Sequence, residues 1–188
     1  MKIGITGGIG SGKSYVCQKL REQGYEVFDC DSEAKKLMRT SPDIRQRLTA
    51  LIGPHTYDAD GNLNKAIVAH YLLSSESHAE AVNKIVHPAV FDAFRQSGLK
   101  LMESAILFES GASRLVDIVI AVIAPKEIRM QRVMERDHIS HEKVEEWMAR
   151  QMPQQDIIRK SDYVIINDGE ADIDKQIHII IRQCNKQF

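Results

Sequence analysis

Apolar positions along the chain switch between short continuous runs and helical spacing, and the switches predict strands and helices in turn. Ile3 and Ile5 form a short apolar run that leads straight into glycines, and Val16, Cys17 and Leu20 follow at helical spacing with Gly24 as a stop. Tyr25-Glu26-Val27-Phe28 reads as a second strand, Leu99-Lys100-Leu101-Met102 as a third, Ile118 to Ile123 as a fourth and Tyr163-Val164-Ile165-Ile166 as a fifth. The fourth is almost wholly apolar, as expected of a parallel strand covered on both faces. Ile173, Ile177, Ile180 and Ile181 fall at i, i+4, i+7 and i+8, so a last helix docks on the sheet. Strands alternating with helices predict an α/β fold of three layers around a five-stranded parallel sheet.

No strand is predicted between the second and third. Ala34, Leu37 and Met38 suggest one helix there, and Ser41-Pro42-Asp43 starts another with Ile44, Leu48, Leu51 and Ile52 on one face and Gly53 beyond its end. After a polar turn at Asp58 to Asn62, two short helices are suggested by Ile67, Val68, Tyr71 and Leu72 and by Val82, Ile85 and Val86. Ser77 and Glu80 are placed as a capping box for the second. Pro88 then opens a further helix that carries Phe91 and Phe94 and closes at Gly98. Between strands four and five, Pro125 to Arg136 forms a helix with Met130, Val133 and Met134 as its apolar stripe. A second helix after Ser140, with Val144, Trp147 and Met148, ends near Pro153. The expected organisation is one domain over 1–188, with a core of 1–40, 99–124 and 154–188, a helical insertion over 41–98 and a helical hairpin over 125–153 placed as a lid.

The chemistry begins where the first strand ends. Gly7 to Ser14 fit G-x-x-x-x-G-K-[ST], a loop whose N–H groups ring phosphates while its lysine reaches the β/γ-phosphates and its hydroxyl ligates magnesium. Lys13 and Ser14 take the last two roles. Glycine is needed because a loop wrapped on phosphate requires positive φ and close backbone approach. The expected nucleotide contacts are Gly8, Ile9, Gly10, Ser11, Gly12, Lys13, Ser14 and Tyr15. The second strand ends in Asp29-Cys30-Asp31, on the side of a parallel sheet where ligands bind. Asp31 has two readings, a catalytic or substrate-binding carboxylate or the N-cap of the next helix. Arg129, Arg132 and Arg136 share one helix face, either as phosphate-binding guanidinium groups or as a solvated basic face. His87 is either a helix-boundary residue or part of the acceptor site.

A formal net charge of −1 supplies no bulk field for nucleic acid or an anionic membrane, so anion binding has to be built from local groups. Cys17, Cys30 and Cys184 have neither paired nor metal-like spacing, and no apolar run of about 18 residues appears. These features predict a cytoplasmic protein with free, buried cysteines that acts on small molecules.

Taken in order, the residues resemble the dephospho-CoA kinase family over nearly the whole chain. The resemblance rests on Thr6 to Ser14, Asp29-Cys30-Asp31, Asp60-Gly61-Asn62-Leu63, His87-Pro88, Leu107-Phe108-Glu109, Arg132 with Arg136, Gln151-Met152-Pro153 and Asp162 to Asn167. It implies ATP as co-substrate with Mg²⁺, dephospho-CoA as acceptor, Asp31 as base, Arg132 and Arg136 as lid arginines, Asn167 close to the adenine, and the insertion that holds His87 as the cradle of the CoA moiety; Asp29, at the same strand end as Asp31, is expected near the phosphates as a further substrate-binding carboxylate. Tyr15, Asn64-Lys65, Ala105 and Trp147 depart from the family's usual threonine, Asp-Arg, proline and arginine, with Arg150 near the last. A small-molecule alcohol kinase of the shikimate or gluconate type also carries a phosphate loop and a carboxylate after strand two, and a nucleotide-driven switch would explain the loop alone. The helical insertion and Leu107-Phe108-Glu109 favour the first reading.

Overall fold

The computed structural model describes residues 1–186. In chain order the elements are β1 (Ile3–Thr6), α1 (Lys13–Glu22), β2 (Val27–Asp29), α2 (Cys30–Thr40), α3 (Pro42–Ile52), α4 (Lys65–Ser74), α5 (Glu76–Ser97), β3 (Leu101–Glu103), β4 (Ile118–Ile123), α6 (Lys126–Asp137), α7 (His141–Ala149), α8 (Gln154–Lys160), β5 (Tyr163–Ile166) and α9 (Ile173–Lys186). They form two compact units, one of 1–29 with the chain from Leu99 onward, the other of Cys30–Gly98.

The first unit holds a five-stranded sheet in the order β2-β3-β1-β4-β5, all parallel. Alternation decides the faces. Ile3 and Ile5 enter a cluster with Val16, Cys17 and Leu20 of α1 and Ile173, Ile177, Ile180 and Ile181 of α9. Gly4 points the other way, where an added Cβ would lie 2.9 Å from Leu107 and 3.1 Å from Val116. Chain leaving β1 runs toward β2, whereas chain leaving β4 runs toward β5 on the opposite side, so the carboxyl ends of these neighbours bound the ligand crevice of a parallel sheet.

The second unit is helical. Ser41 caps α3 by accepting from the Ile44 N–H, with Pro42 in the first turn and Gly53 past the end, and Asn64 caps α4 through the Ile67 N–H. Tyr57 donates its hydroxyl to the Met38 carbonyl at 2.6 Å and stacks under Arg45. α2 packs on α3 and α5 and belongs to this compact unit.

Several local expectations are corrected. α5 runs unbroken through Pro88 instead of breaking there, because Val82, Ile85, Val86, Val90, Phe91 and Phe94 bury one continuous face across the proline. That burial offsets the hydrogen bond a mid-helix proline forfeits. The cap of α5 is Ser75, which accepts from the His78 N–H at 3.1 Å, so Ser77 and Glu80 lie inside the helix. α2 begins at Cys30, directly after β2, which places Asp31 in the first turn and not at its N-cap. β3 ends at Glu103, not Met102, and α8 is an element the pattern does not predict. All three cysteines are free and buried, and among the described residues no helix is long and apolar enough to cross a membrane.

Candidate active site

Gly7 to Gly12 connect β1 to α1 without a side-chain cap, so the first amides of α1 face the loop. Gly12 shows why the pattern requires glycine. Its φ is +84°, and a Cβ there would come within 1.9 Å of the Asn167 amide nitrogen. That amide donates to the Ser11 carbonyl at 2.9 Å, and Asn167 is 7% exposed just past β5. Gly12→Ala is therefore expected to push Asn167 off the loop and to weaken ATP binding by about tenfold or more, since left-handed strain adds to the clash. Isothermal titration with ATP checks this, and unchanged affinity would dissociate Asn167 from the nucleotide site.

At the start of α1, the Lys13 ammonium lies 2.7 Å from Glu103 Oε1, and the Ser14 hydroxyl donates to the same oxygen at 2.8 Å. Glu103 ends β3 with 4% of its side chain exposed, and Arg21 stands 3.5 Å from its other oxygen. Burial alone would raise the Glu103 carboxyl. The Lys13 charge and hydrogen bonds from Lys13, Ser14 and Cys17 outweigh it and hold the group below the ordinary glutamate range. Cys17 moves the other way, upward, first through burial and then through the Glu103 charge, so it stays a neutral thiol. The Ser14 hydroxyl and Glu103 carboxylate are hard oxygen donors, a set that fits Mg²⁺.

The α6–α7 hairpin packs through Met130, Val133 and Val144, with Trp147 and Met148 against them. It reaches the loop through Gln151, Arg129 and Arg132. Gln151 accepts from the Ile9 N–H at 2.7 Å, and Arg129 donates from Nε to the Ile9 carbonyl at 2.9 Å. The three arginines expected on one face are thus separated in role. Arg129 is buried; Arg132 is half-buried and donates to the Asn167 carbonyl at 3.0 Å and the Gly10 carbonyl at 3.5 Å. Arg136 is exposed and forms a paired contact with Asp137 at 2.8 and 2.7 Å. Trp147 belongs to the hairpin core, and Arg150 pairs with Glu146 on the surface.

Of the residues expected from sequence, Gly8, Ile9, Gly10, Ser11, Gly12, Lys13, Ser14, Asn167 and Arg132 converge on the loop. Tyr15 is 48% exposed on α1, and Asp29 ends β2 in register with Glu103. Asp31 and His87 belong to the helical unit, Asp31 exposed in the first turn of α2 and His87 half-buried in α5. Burial lowers the His87 pKa, and its ring sits 6.0 Å from that of Phe91. Sequence reasoning carries Arg129 only as one of three arginines on a shared face and Gln151 only within the resemblance, and it leaves the part played by Glu103 open. A lone carboxylate directly after an apolar strand was the available signal for Glu103.

The dephospho-CoA kinase family model matches residues 1–172. A dephospho-CoA kinase of Bacteroides fragilis is 44% identical over 184 residues, spanning 94% of this chain and 89% of its own. One of Salinibacter ruber is 40% identical over 176 residues, spanning 89% of this chain and 88% of its own. A crystal structure from Thermus thermophilus superposes with a TM-score of 0.85 at 29% identity, covering 97% of this chain and 96% of that one. A shikimate kinase of Acinetobacter baumannii, solved with shikimate, shares the fold at a TM-score of 0.56 and 16% identity, covering 99% and 93% of the two chains.

Proposed function

The chain belongs to the dephospho-CoA kinase family, and from that premise we propose how its residues divide the reaction. The reaction is ATP-dependent phosphorylation of the ribose 3′-hydroxyl of dephospho-CoA, giving coenzyme A and ADP in the last step of CoA biosynthesis. The observation that carries the assignment of roles is the joint hold of Glu103 on Lys13 and Ser14 at the mouth of the glycine loop.

In this reading the N–H groups of Gly8 to Ser14 ring the phosphates, Tyr15 flanks them, and Asn167 borders the adenine. Lys13 exchanges Glu103 for the β/γ-phosphates, and Arg136 exchanges Asp137 for the transferring group, with Arg132 adding charge from its place over Gly10. Ser14 and Glu103 would hold Mg²⁺, which supplies further neutralisation of phosphate charge when bound. Asp31 accepts the proton of the 3′-hydroxyl as its oxygen bonds to the γ-phosphorus. The bond from that phosphorus to the β–γ bridging oxygen breaks, and ADP leaves. His87 and Asp29 hold the acceptor, the helices over 41–98 cradle the CoA moiety, and the hairpin over 125–153 serves as the lid of a single kinase domain. Free, buried thiols suit the reducing cytoplasm.

A coupled assay with dephospho-CoA, adenosine, shikimate, gluconate or no acceptor tests this reading. Dephospho-CoA is expected to be phosphorylated far better than adenosine, in kcat as well as KM, because binding energy from the remote part of the substrate orients the hydroxyl. His87→Ala is expected to narrow that ratio by up to about tenfold, the size of one lost hydrogen bond. Equal loss on both acceptors would make His87 structural, preference for shikimate would replace the acceptor, and ATP turnover without acceptor would point to a switch.

A further inference from the structure

Arg129 is 8% exposed, yet both of its hydrogen-bond partners are neutral, the Ile9 carbonyl at 2.9 Å and the Gln154 side-chain oxygen at 3.3 Å. No ion pair joins it to a carboxylate among the described residues. A buried guanidinium without a counter-charge is destabilising, and an apolar or neutral residue of similar volume would be easier to fold around. The residue is nevertheless fitted to the loop on two sides. A Cβ on Gly8 would lie 2.5 Å from its terminal nitrogen, and a Cβ on Gly10 would lie 2.4 Å from its own carbonyl oxygen.

The contact with Ile9 has a directional consequence. Ile9 C=O and Gly10 N–H belong to one trans peptide, in which the two groups point in opposite directions. Holding the carbonyl on a cation therefore aims the Gly10 N–H away from Arg129, and it polarises the peptide so that this N–H becomes a stronger donor. Gln151 fixes the preceding peptide by accepting from the Ile9 N–H at 2.7 Å.

We propose that Arg129 is a positioning residue of the phosphate loop, orienting the Ile9–Gly10 peptide, with a charge balanced by the bound nucleotide's phosphates instead of by a protein carboxylate. It acts through the loop backbone without touching the nucleotide. The idea rests on the loop being the ATP site, and failure of the wild-type protein to bind ATP would defeat that premise rather than the role of Arg129.

The test is calorimetric titration of wild type, Arg129→Gln and Arg129→Lys with adenosine, ADP and ATP, alongside thermal melts without nucleotide. Arg129→Gln is expected to bind ADP and ATP about tenfold more weakly with adenosine affinity unchanged, and to melt no lower than wild type because it removes the uncompensated charge. KM for ATP should rise while KM for dephospho-CoA holds. Arg129→Lys keeps the charge and should bind ADP and ATP within a few-fold of wild type. Loss of affinity for all three ligands alike, or a lower melting temperature with unchanged affinity, would make Arg129 a packing residue and overturn the proposal. Should the glutamine variant not fold, an Arg129→Lys protein tenfold weaker for ADP and ATP would overturn it as well.

Discussion

Replacing Lys13 by alanine is expected to lower kcat for dephospho-CoA phosphorylation by on the order of 10³ or more, the range for removing a charge aimed at the transferring phosphate. The variant should also be less stable. Lys13 is the principal counter-charge of Glu103, which is 4% exposed, and breaking a buried pair by removing one partner leaves the other uncompensated. Ser14 and Arg21 still face the carboxylate, so the loss should fall near the lower end of the usual range, about 3 kcal/mol. For a chain of this size that is roughly 6–12 °C in Tm.

The Glu103 carboxyl links this loss to pH. In the wild type it is held below its ordinary range, so the stability from the pair is fully present above the unfolded glutamate pKa and is lost as pH falls through the folded one. With Lys13 gone, burial dominates and raises the carboxyl, so the variant's deficit relative to wild type should shrink as pH falls toward 4–5. Adding Glu103→Gln removes the stranded charge, and the double variant should recover most of the lost Tm at neutral pH while remaining inactive. Coupled assays with melts from pH 4 to 8 measure both effects. Normal turnover in folded Lys13→Ala would defeat the assignment of the phosphate loop, and equal melting of single and double variants would mean Glu103 is not stranded.

The glycine loop was legible because its constraints are local: the positive φ of Gly10 and Gly12 and the helix start at Lys13 all lie within one contiguous pattern. The parallel sheet was legible for a related reason, since Ile118 to Ile123 can be so apolar only where both faces are covered. What stayed open depends on contacts far apart in sequence. Glu103 is a loop carboxylate until Lys13, 90 positions earlier, is brought to it. Arg129, Arg132 and Arg136 are equivalent by spacing. Only the packing of Met130 and Val133 beside the loop buries the first, half-buries the second and leaves the third on Asp137. Pro88 signalled a helix boundary, and a buried face spanning it overrode that local rule. Gln154 to Lys160 carries too few apolar residues to announce a helix, yet Ile157 is 2% exposed and anchors α8 against the strand side.

Asp31→Asn is the variant that most directly addresses the chemical step. If Asp31 has its proposed role as proton acceptor of the 3′-hydroxyl, removing its basicity should lower kcat by on the order of 10²–10⁴ with ATP affinity nearly unchanged. The sequence alone admitted an N-cap role, in which asparagine would serve almost as well as aspartate. The start of α2 at Cys30 removes that role and leaves Asp31 as an exposed first-turn residue. A first-turn carboxylate favours a helix by only about 0.3–1 kcal/mol at an exposed position, and asparagine keeps the size and hydrogen-bonding shape of the side chain, so the charge lost in Asp31→Asn should account for a melt shift of only roughly 4 °C or less. A large activity loss with so small a stability loss separates chemistry from folding. Asp29, half-buried at the end of β2 and in register with Glu103, is the natural control. If Asp29 holds the acceptor as proposed, Asp29→Asn should raise KM for dephospho-CoA more than it lowers kcat. The pH dependence gives a second readout, because the acid limb of the kcat profile reports protonation of the base in the enzyme–substrate complex. That limb should be present in wild type and in Asp29→Asn and absent in Asp31→Asn, whose residual rate has no carboxylate left to titrate at that step. An acid limb that survives in Asp31→Asn, or an unchanged kcat, would transfer the base to another group.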